Sequence, residues 1–247
     1  MNNFSEQFQH LCTVDGLLSL LTLTMLEIVL GIDNIIFVSI VAGKLSDKKE
    51  QRTARFIGLL MAMFIRIALL FFIGWILGLS TALFEIFGIG FTGKDIILFC
   101  GGVFLLAKTV SEIHQKIEGD EEEKEVNVKR TALFSIILQI VFIDIVFSFD
   151  SILTAVGVVD NVLIMMAAVV VSMIIMIISS EKVSEFIDRH PTVKMLALAF
   201  LLMIGVLLIA EAFHKEIPKA YVYSSMAFAF LVEVLNMRVR KKSSNKK

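Results

Sequence analysis

"LTMLEIVLGIDNIIFVSIVA", residues 23–42, is long and apolar enough to cross a bilayer, yet its middle holds Glu27, Asp33 and Asn34. A membrane-spanning helix takes about 20 predominantly apolar residues. A charge at the bilayer centre costs about 2.5–3.5 kcal/mol on insertion scales. Acids in such a place must be protonated, paired or holding a cation. On either side of this stretch the pattern repeats. Apolar blocks fall at about 16–43, 56–79, 94–112, 131–156, 160–180, 193–213 and 220–237. The chain of 247 residues is 57% hydrophobic, above the roughly 45–50% usual in soluble domains. These blocks predict an all-α, polytopic membrane protein with about seven transmembrane helices. Pro191 and Pro218 sit between blocks, where a missing N–H interrupts no helix.

Lys and Arg predict the orientation. Lys44, Lys48, Lys49, Arg52 and Arg55 follow the first block, and Lys108, Lys116, Lys124, Lys129 and Arg130 follow the third. Lys182, Arg189 and Lys194 follow the fifth, and Arg238, Arg240, Lys241, Lys242, Lys246 and Lys247 form a basic end. Opposite them stand only Lys94, Lys215 and Lys219. By the positive-inside rule the N-terminus is expected outside and the C-terminus in the cytoplasm. The opening "MNNFSEQFQHLCTVDG" has no Lys or Arg, so it lacks the basic region of a cleavable signal peptide. Cys12 and Cys100 indicate neither a disulfide framework nor a thiolate site. The acidic run "EGDEEEKE" at 118–125 reads as a solvated loop. The basic end reads as a topology signal and lipid contact rather than a nucleic-acid patch.

The acids recur. "EIVLGIDNIIF" from Glu27 aligns with "DIVFSFDSILT" from Asp144, matching Glu27 with Asp144, Gly31 with Ser148, Asp33 with Asp150 and Asn34 with Ser151. "GVFLLAK" from Gly102 resembles "GVLLIAE" from Gly205. The unit is therefore three helices, and because three is odd the two copies run inverted across the membrane. Inverted repeats are a common transporter architecture, with the site near the midplane at the repeat interface. The predicted layout is an extracytoplasmic segment (1–15), one transmembrane domain (16–237) and a basic cytoplasmic tail (238–247). The domain holds repeat one (about 16–112), an acidic cytoplasmic loop (about 113–130), repeat two (about 131–213) and an extra helix (about 220–237).

Residues six apart on an ideal helix differ by about 240° of rotation, so Glu27 and Asp33 do not share a face unless the helix breaks. A break near Gly31, with a comparable irregularity near Ser148, is expected to bring them together. Asp33, Asn34, Asp150 and Ser151 then form an all-oxygen set, with Glu27 and Asp144 nearby. Such ligands suit magnesium, calcium or manganese rather than zinc or copper. His10, His114, His190 and His214 lie outside the predicted membrane core. The competing reading is hydrogen bonding between protonated carboxyls, or an ion pair with Arg66. Arg66 lies too deep to snorkel and is expected to be a counter-ion or gate. Glu233 and Asn236 read first as a helix contact at the cytoplasmic end, and Gly101 and Gly102 as a close-packing surface.

"LEIVLGIDN", "GGVFLLAK", "FSFDSILTAVG" and "HPTVKMLALAFLLMIG" strongly resemble the TerC family of integral membrane proteins, over nearly the whole chain from residue 16 to 238. The likeness is to its short bacterial members, without appended CBS domains. That resemblance implies a plasma (inner) membrane location and membership of the LysE-like transporters. The family name comes from tellurium resistance, and the activity implied is manganese(II) efflux. The metal site carried over is Asp33, Asn34, Asp150 and Ser151, with Glu27 and Asp144 as further ligands or proton carriers. Direct tellurite transport fits poorly, because four carboxylates repel an anion.

The leading expectation is a secondary exporter of a hard divalent cation, most readily manganese(II), exchanging it for protons, since carboxylates must be ionised to bind metal. No permanently bound cofactor is expected, and manganese(II) is cargo. The expected partners are membrane lipid, the metal ion, and proteins of a resistance or secretion complex; nucleic acid is not among them. The alternative is a membrane partner protein in such a complex that does not itself transport. The chain shows neither a P-loop nor an HExxH motif, so ATP-driven pumping by this chain alone and intramembrane proteolysis are both disfavoured; it is read as a non-enzyme.

Overall fold

A computed structural model describes residues 9, 11, 13–72, 74, 82–86, 89–118, 129–157, 159, 161–215 and 217–244. Within these, the side chains of residues 82, 84, 86, 89, 129–131, 150, 153, 154, 219 and 240–244 lie outside the description. In chain order the elements are α1 (Val14–Leu30), α2 (Ile32–Ala42), α3 (Lys48–Phe71), β1 (Ala82–Ile86), β2 (Ile89–Thr92) and α4 (Gly93–Glu118). They continue with α5 (Lys129–Val156), α6 (Val162–Arg189), α7 (Pro191–Ala212) and α8 (Lys219–Ser244). With α1 and α2 taken as one span, the described residues hold 7 helices long and apolar enough to cross a membrane. The chain is a multi-pass, almost wholly helical protein. Its strands form a short antiparallel hairpin that pairs Ala82 with Thr92 and Ile86 with Ile89.

Local chemistry starts several of these helices. The Thr13 side chain accepts from Gly16 N at 3.1 Å, and Asp47 accepts from Lys49 N at 2.9 Å. Each satisfies an N–H that a helix N-terminus leaves unpaired. Pro191 occupies the first turn of α7, where its missing N–H is no loss and its fixed φ suits a helix. Pro218 stands just before α8.

Several boundaries differ from the hydropathy reading. α3 begins at Lys48, so Lys48, Lys49, Arg52 and Arg55 lie in its first turns rather than in a loop. α4 extends to Glu118 and α5 starts at Lys129, so both take in part of the expected acidic loop, and residues 119–128 between them lie outside the description. α6 runs to Arg189, and α8 carries residues 238–244, expected as a tail, within its helix. α3 is described as far as Phe71, and of the remaining block to about 79, residues 73 and 75–79 lie outside the description. Hydropathy detects the stretch that lies in hydrocarbon. It does not detect the polar turns that carry the same hydrogen-bond ladder out into water.

The chain divides into two compact units, Met1–Lys94 with Lys124–Glu185, and Asp95–Glu123 with Phe186–Lys247. The first unit thus draws the first two helices of each sequence repeat, and the second draws the third helix of each together with α8. In the first unit α3 packs along α5, while α2 touches both and α1 lies against α2 and α5. Its core holds Leu23, Leu59, Leu70, Ile140, Ile143, Ile152, Ile164 and Met173. Phe64, Phe71, Phe134 and Ile178 face outward, as lipid-covered helix surfaces do. Near one end of this unit Arg52 pairs with Glu181 at 3.3 Å, and Arg55 donates to Ser184 Oγ at 3.2 Å. The start of α3 therefore lies beside the end of α6, two regions that the Lys and Arg pattern assigned to one side of the membrane.

In the second unit α4 and α7 approach closely at Gly102 and Gly205. A β-carbon at Gly102 would lie 2.8 Å from Ile209 Cγ1 and 2.9 Å from Gly205 O, and one at Gly205 would lie 2.9 Å from Leu106. These are the leading glycines of the two matching motifs, and small residues are what let membrane helices approach backbone to backbone. Phe99 and Phe213 stack edge to face with centroids 5.8 Å apart. α8 packs on α7; on it Glu233 is partly buried and Asn236 exposed.

Candidate ion site

The opening stretch is interrupted where its acids lie. α1 ends at Leu30, Gly31 forms a turn at φ −92° and ψ −3°, and α2 starts at Ile32. Two backbone bonds carry the ladder across it, Gly31 N to Glu27 O at 2.8 Å and Ile35 N to Gly31 O at 3.2 Å, so the interruption is local. Glycine is needed there by close approach: a β-carbon would lie 2.6 Å from Met176 Sδ and 2.8 Å from Glu27 O. The expected counterpart at Ser148 is not formed, for α5 runs unbroken from Lys129 to Val156. Ser148 Oγ is instead occupied within its own helix, reaching Asp144 O and, at 3.0 Å, Asp144 Oδ2. A serine that bonds back to the i−4 carbonyl often bends its helix, yet α5 is continuous through this one.

Arg66 of α3 joins the acids of the two matching motifs. Its Nε donates to Asp144 Oδ2 at 3.1 Å and its Nη2 to Asp144 Oδ1 at 2.6 Å, a two-pronged grip. Its Nη1 donates to Glu27 Oε2 at 3.0 Å. A planar guanidinium suits this arrangement because its donors spread in a fixed fork. Arg66 is only 2% exposed, and Glu27 and Asp144 are buried with it. Asn34 Nδ2 donates to the same Asp144 Oδ1 at 3.2 Å. Ser151 Oγ donates to Ser148 O at 3.3 Å, one step beyond. Five of the residues singled out in the sequence (Glu27, Asn34, Arg66, Asp144 and Ser151) thus join one network through Ser148.

Asp33 is 4% exposed and forms no hydrogen bond or ion pair with a described residue. Asn34 Oδ1 is likewise buried without a partner, as is Ser39 Oγ farther along α2. Buried oxygens of this kind leave lone pairs for a donor or a cation. The Asp150 side chain, the fourth expected acid, lies outside the described residues. Among those residues no three His, Cys, Asp or Glu side chains gather closely enough to hold a metal. Glu27 also borders a cavity of about 10 Å³, otherwise lined by apolar side chains such as Leu70, Ile152 and Met165. That is room for about one water molecule.

With its groups ionised, the triad holds two carboxylates and one guanidinium, a net charge of −1. Glu27 and Asp144 are therefore counter-ions of Arg66 in this structure, whereas Asp33 and Asn34 Oδ1 are engaged by no described residue. The sequence raised an Arg66 ion pair without identifying the acid. A buried arginine must find one, but only the fold selects it. Ser148 was read as a small residue opposite Gly31, and its role as a donor to Asp144 was missed. Its i, i+4 spacing from Asp144 was the available signal. The described histidines stay at helix ends: His114 near the end of α4, His190 between α6 and α7, and His214 after α7, where it pairs with Asp95 at 2.9 Å.

The TerC integral membrane protein family matches residues 12–247. The chain is 40% identical over 234 residues to a UPF0053 protein of Haemophilus influenzae, covering 95% of this chain and 98% of that one. It is 47% identical over 226 residues to the UPF0053 inner membrane protein YgdQ of Escherichia coli K12, covering 92% and 94%. The inner membrane protein YoaE of the same organism is 42% identical over 222 residues, 90% of this chain but 43% of YoaE. No solved structure matches. The family match over almost the full sequence, the seven apolar spans and the relatives of equal length lead to one conclusion: the chain belongs to the TerC family of integral membrane proteins.

Proposed function

We propose that this protein is a secondary transporter that exports a hard divalent cation, manganese(II) by family resemblance, from the cytoplasm in exchange for protons. The observation that carries this reading is the buried cluster of oxygen-bearing side chains drawn from both sequence repeats, in which Asp33 and Asn34 Oδ1 are engaged by no described residue while Arg66 holds Glu27 and Asp144. Asp33, Asn34, Asp150 and Ser151 form the cargo site, with Glu27 and Asp144 as its inner carboxylates. The two repeats lie inverted in the bilayer, with the N-terminus outside and the C-terminus in the cytoplasm. That arrangement supplies the two alternating faces that export needs. The test is manganese(II) uptake into everted membrane vesicles under an imposed proton gradient, comparing native protein with Asp33→Asn and Asp150→Asn at equal expression. Accumulation by native vesicles and its loss in both variants is the expected result. Uptake no greater than in empty vesicles for all three rejects the reading.

A second reading has its own support. Arg66 already neutralises Glu27 and Asp144 in part, as an architectural ion pair would. A membrane partner protein in a resistance or secretion complex needs no more. It predicts tolerance of Asp33→Asn and stable co-purification with such a complex.

A further inference from the structure

We infer that Arg66 is a tethered counter-cation: its guanidinium occupies Glu27 and Asp144 when no cargo is held, and a cargo cation displaces it from Asp144. The inference rests on the transporter reading and adds to it a coupling residue. The argument begins with the 2.6 Å and 3.1 Å contacts, which engage both oxygens of Asp144 with one guanidinium. A divalent cation bound to either oxygen would sit against that positive group, and like charges at such range repel strongly. Arg66 and cargo are therefore alternatives on Asp144.

Asn34 links this carboxylate to the unengaged oxygens. Its Nδ2 holds Asp144 Oδ1 while its own Oδ1, buried on α2 beside Asp33, has no partner. A cation received at Asn34 Oδ1 thus lies one side chain from the Asp144 oxygen that Arg66 holds. Two states follow, one closed by Arg66 and one closed by cargo, and cargo shifts the balance only by its preference for the second. The consequence is specific to transport. A carrier must reverse its orientation after release, and a buried pair of bare carboxylates opposes that step. With Arg66 in place one exchanged proton neutralises the metal-free triad, so the return step carries no uncompensated charge. Arg66 therefore matters most for net efflux and least for one-for-one exchange, which never needs the empty form to reverse.

The test uses purified full-length protein in liposomes, with manganese(II) alone as probe, and reads equilibrium binding, net efflux and manganese-for-manganese exchange. Arg66→Met is expected to bind manganese(II) about tenfold more tightly, within the usual range of coupling between sites. It should lose most net efflux while exchange persists. A purely structural pin predicts the opposite sign, with weaker binding and parallel loss of both fluxes, and that outcome overturns the inference. Arg66→Lys keeps the charge, but one ammonium does not grip both carboxylates as the fork does. It should shift binding and the efflux-to-exchange ratio in the same directions by smaller factors. If Arg66→Met does not fold, Arg66→Lys decides the matter, and unchanged or weaker binding in it also overturns the inference. Native liposomes that move no manganese(II) in either mode would instead remove the transporter reading beneath it.

Discussion

Neutralising the members of the Arg66 triad one at a time should rank their effects on stability by charge rather than by size. Breaking a buried ion pair by removing one partner costs about 3–5 kcal/mol, because an uncompensated charge is left behind. A single hydrogen bond to a charged group contributes about 1.5–3 kcal/mol. Glu27 receives one bond from Arg66, and Glu27→Gln leaves a neutral Arg66–Asp144 pair, so its cost should lie near that lower range. Asp144 accepts both prongs of Arg66 together with Asn34 and Ser148. Asp144→Asn leaves the Arg66–Glu27 pair equally neutral but weakens more of these bonds, so it should cost more than Glu27→Gln, about 3–5 kcal/mol as the loss of two charged hydrogen bonds. Arg66→Met leaves two buried carboxylates facing each other and should reach or exceed the top of that range. Combining Arg66→Met with Glu27→Gln and Asp144→Asn removes every charge and should recover much of the loss, since neutral replacements of buried ion groups are often neutral or stabilising. Thermal denaturation of the detergent-purified variants, followed by intrinsic fluorescence and by retention on size exclusion, gives the order. Were the triple variant less stable than Arg66→Met alone, or Glu27→Gln the most damaging of the three, the charge argument would fail.

Other substitutions probe the contacts around the site. Gly31→Val should cost about 1–3 kcal/mol through overpacking against Met176 and Glu27 O, and Gly31→Val with Met176→Ala should recover part of it; no recovery in the melting temperature would leave backbone crowding as the cause. Gly102→Ala meets Gly205 O and Ile209 rather than a flexible chain end, so a loss of about 1–3 kcal/mol is expected, and an unchanged melting temperature would contradict the close approach of α4 and α7. Ser148→Ala removes one donor from Asp144 and should cost about 1 kcal/mol; a larger effect on manganese(II) transport than on stability would place Ser148 in the ion path. Asp47→Ala should lower stability by about 1 kcal/mol through loss of the α3 N-cap, and an unchanged melting temperature would contradict a helix that starts at Lys48.

The number of spans, the predominance of helix and the family were all readable from the sequence. Each depends on quantities local to the chain: a 20-residue run of apolar side chains must be helical in hydrocarbon, and motifs are strings of neighbours. Gly102 was legible as a packing site, together with Gly101, since a missing side chain has one obvious use between membrane helices, whereas its partner Gly205 was legible only as the matching residue of the repeat. The polar ends of α3, α4, α6 and α8 were not legible, because nothing in hydropathy separates a helical turn in water from a loop. Gly31 and Ser148 show the limit most clearly. Aligned in the repeat, they part in the fold: the helix is interrupted at Gly31, where Met176 leaves no room for a β-carbon, and runs unbroken through Ser148, whose hydroxyl bonds to Asp144.

What the sequence by itself determined is that buried acids recur on two matching helices and that a buried arginine needs acid partners. Which acids it meets was decided only when α1, α3 and α5 packed together. Residues 27, 66 and 144 are far apart in the chain, and a guanidinium fork selects its carboxylates by position and angle within hydrogen-bond reach, which composition and spacing do not encode. The same packing left Asp33 and one oxygen of Asn34 buried, and engaged by no described residue, while one guanidinium partly neutralises two carboxylates.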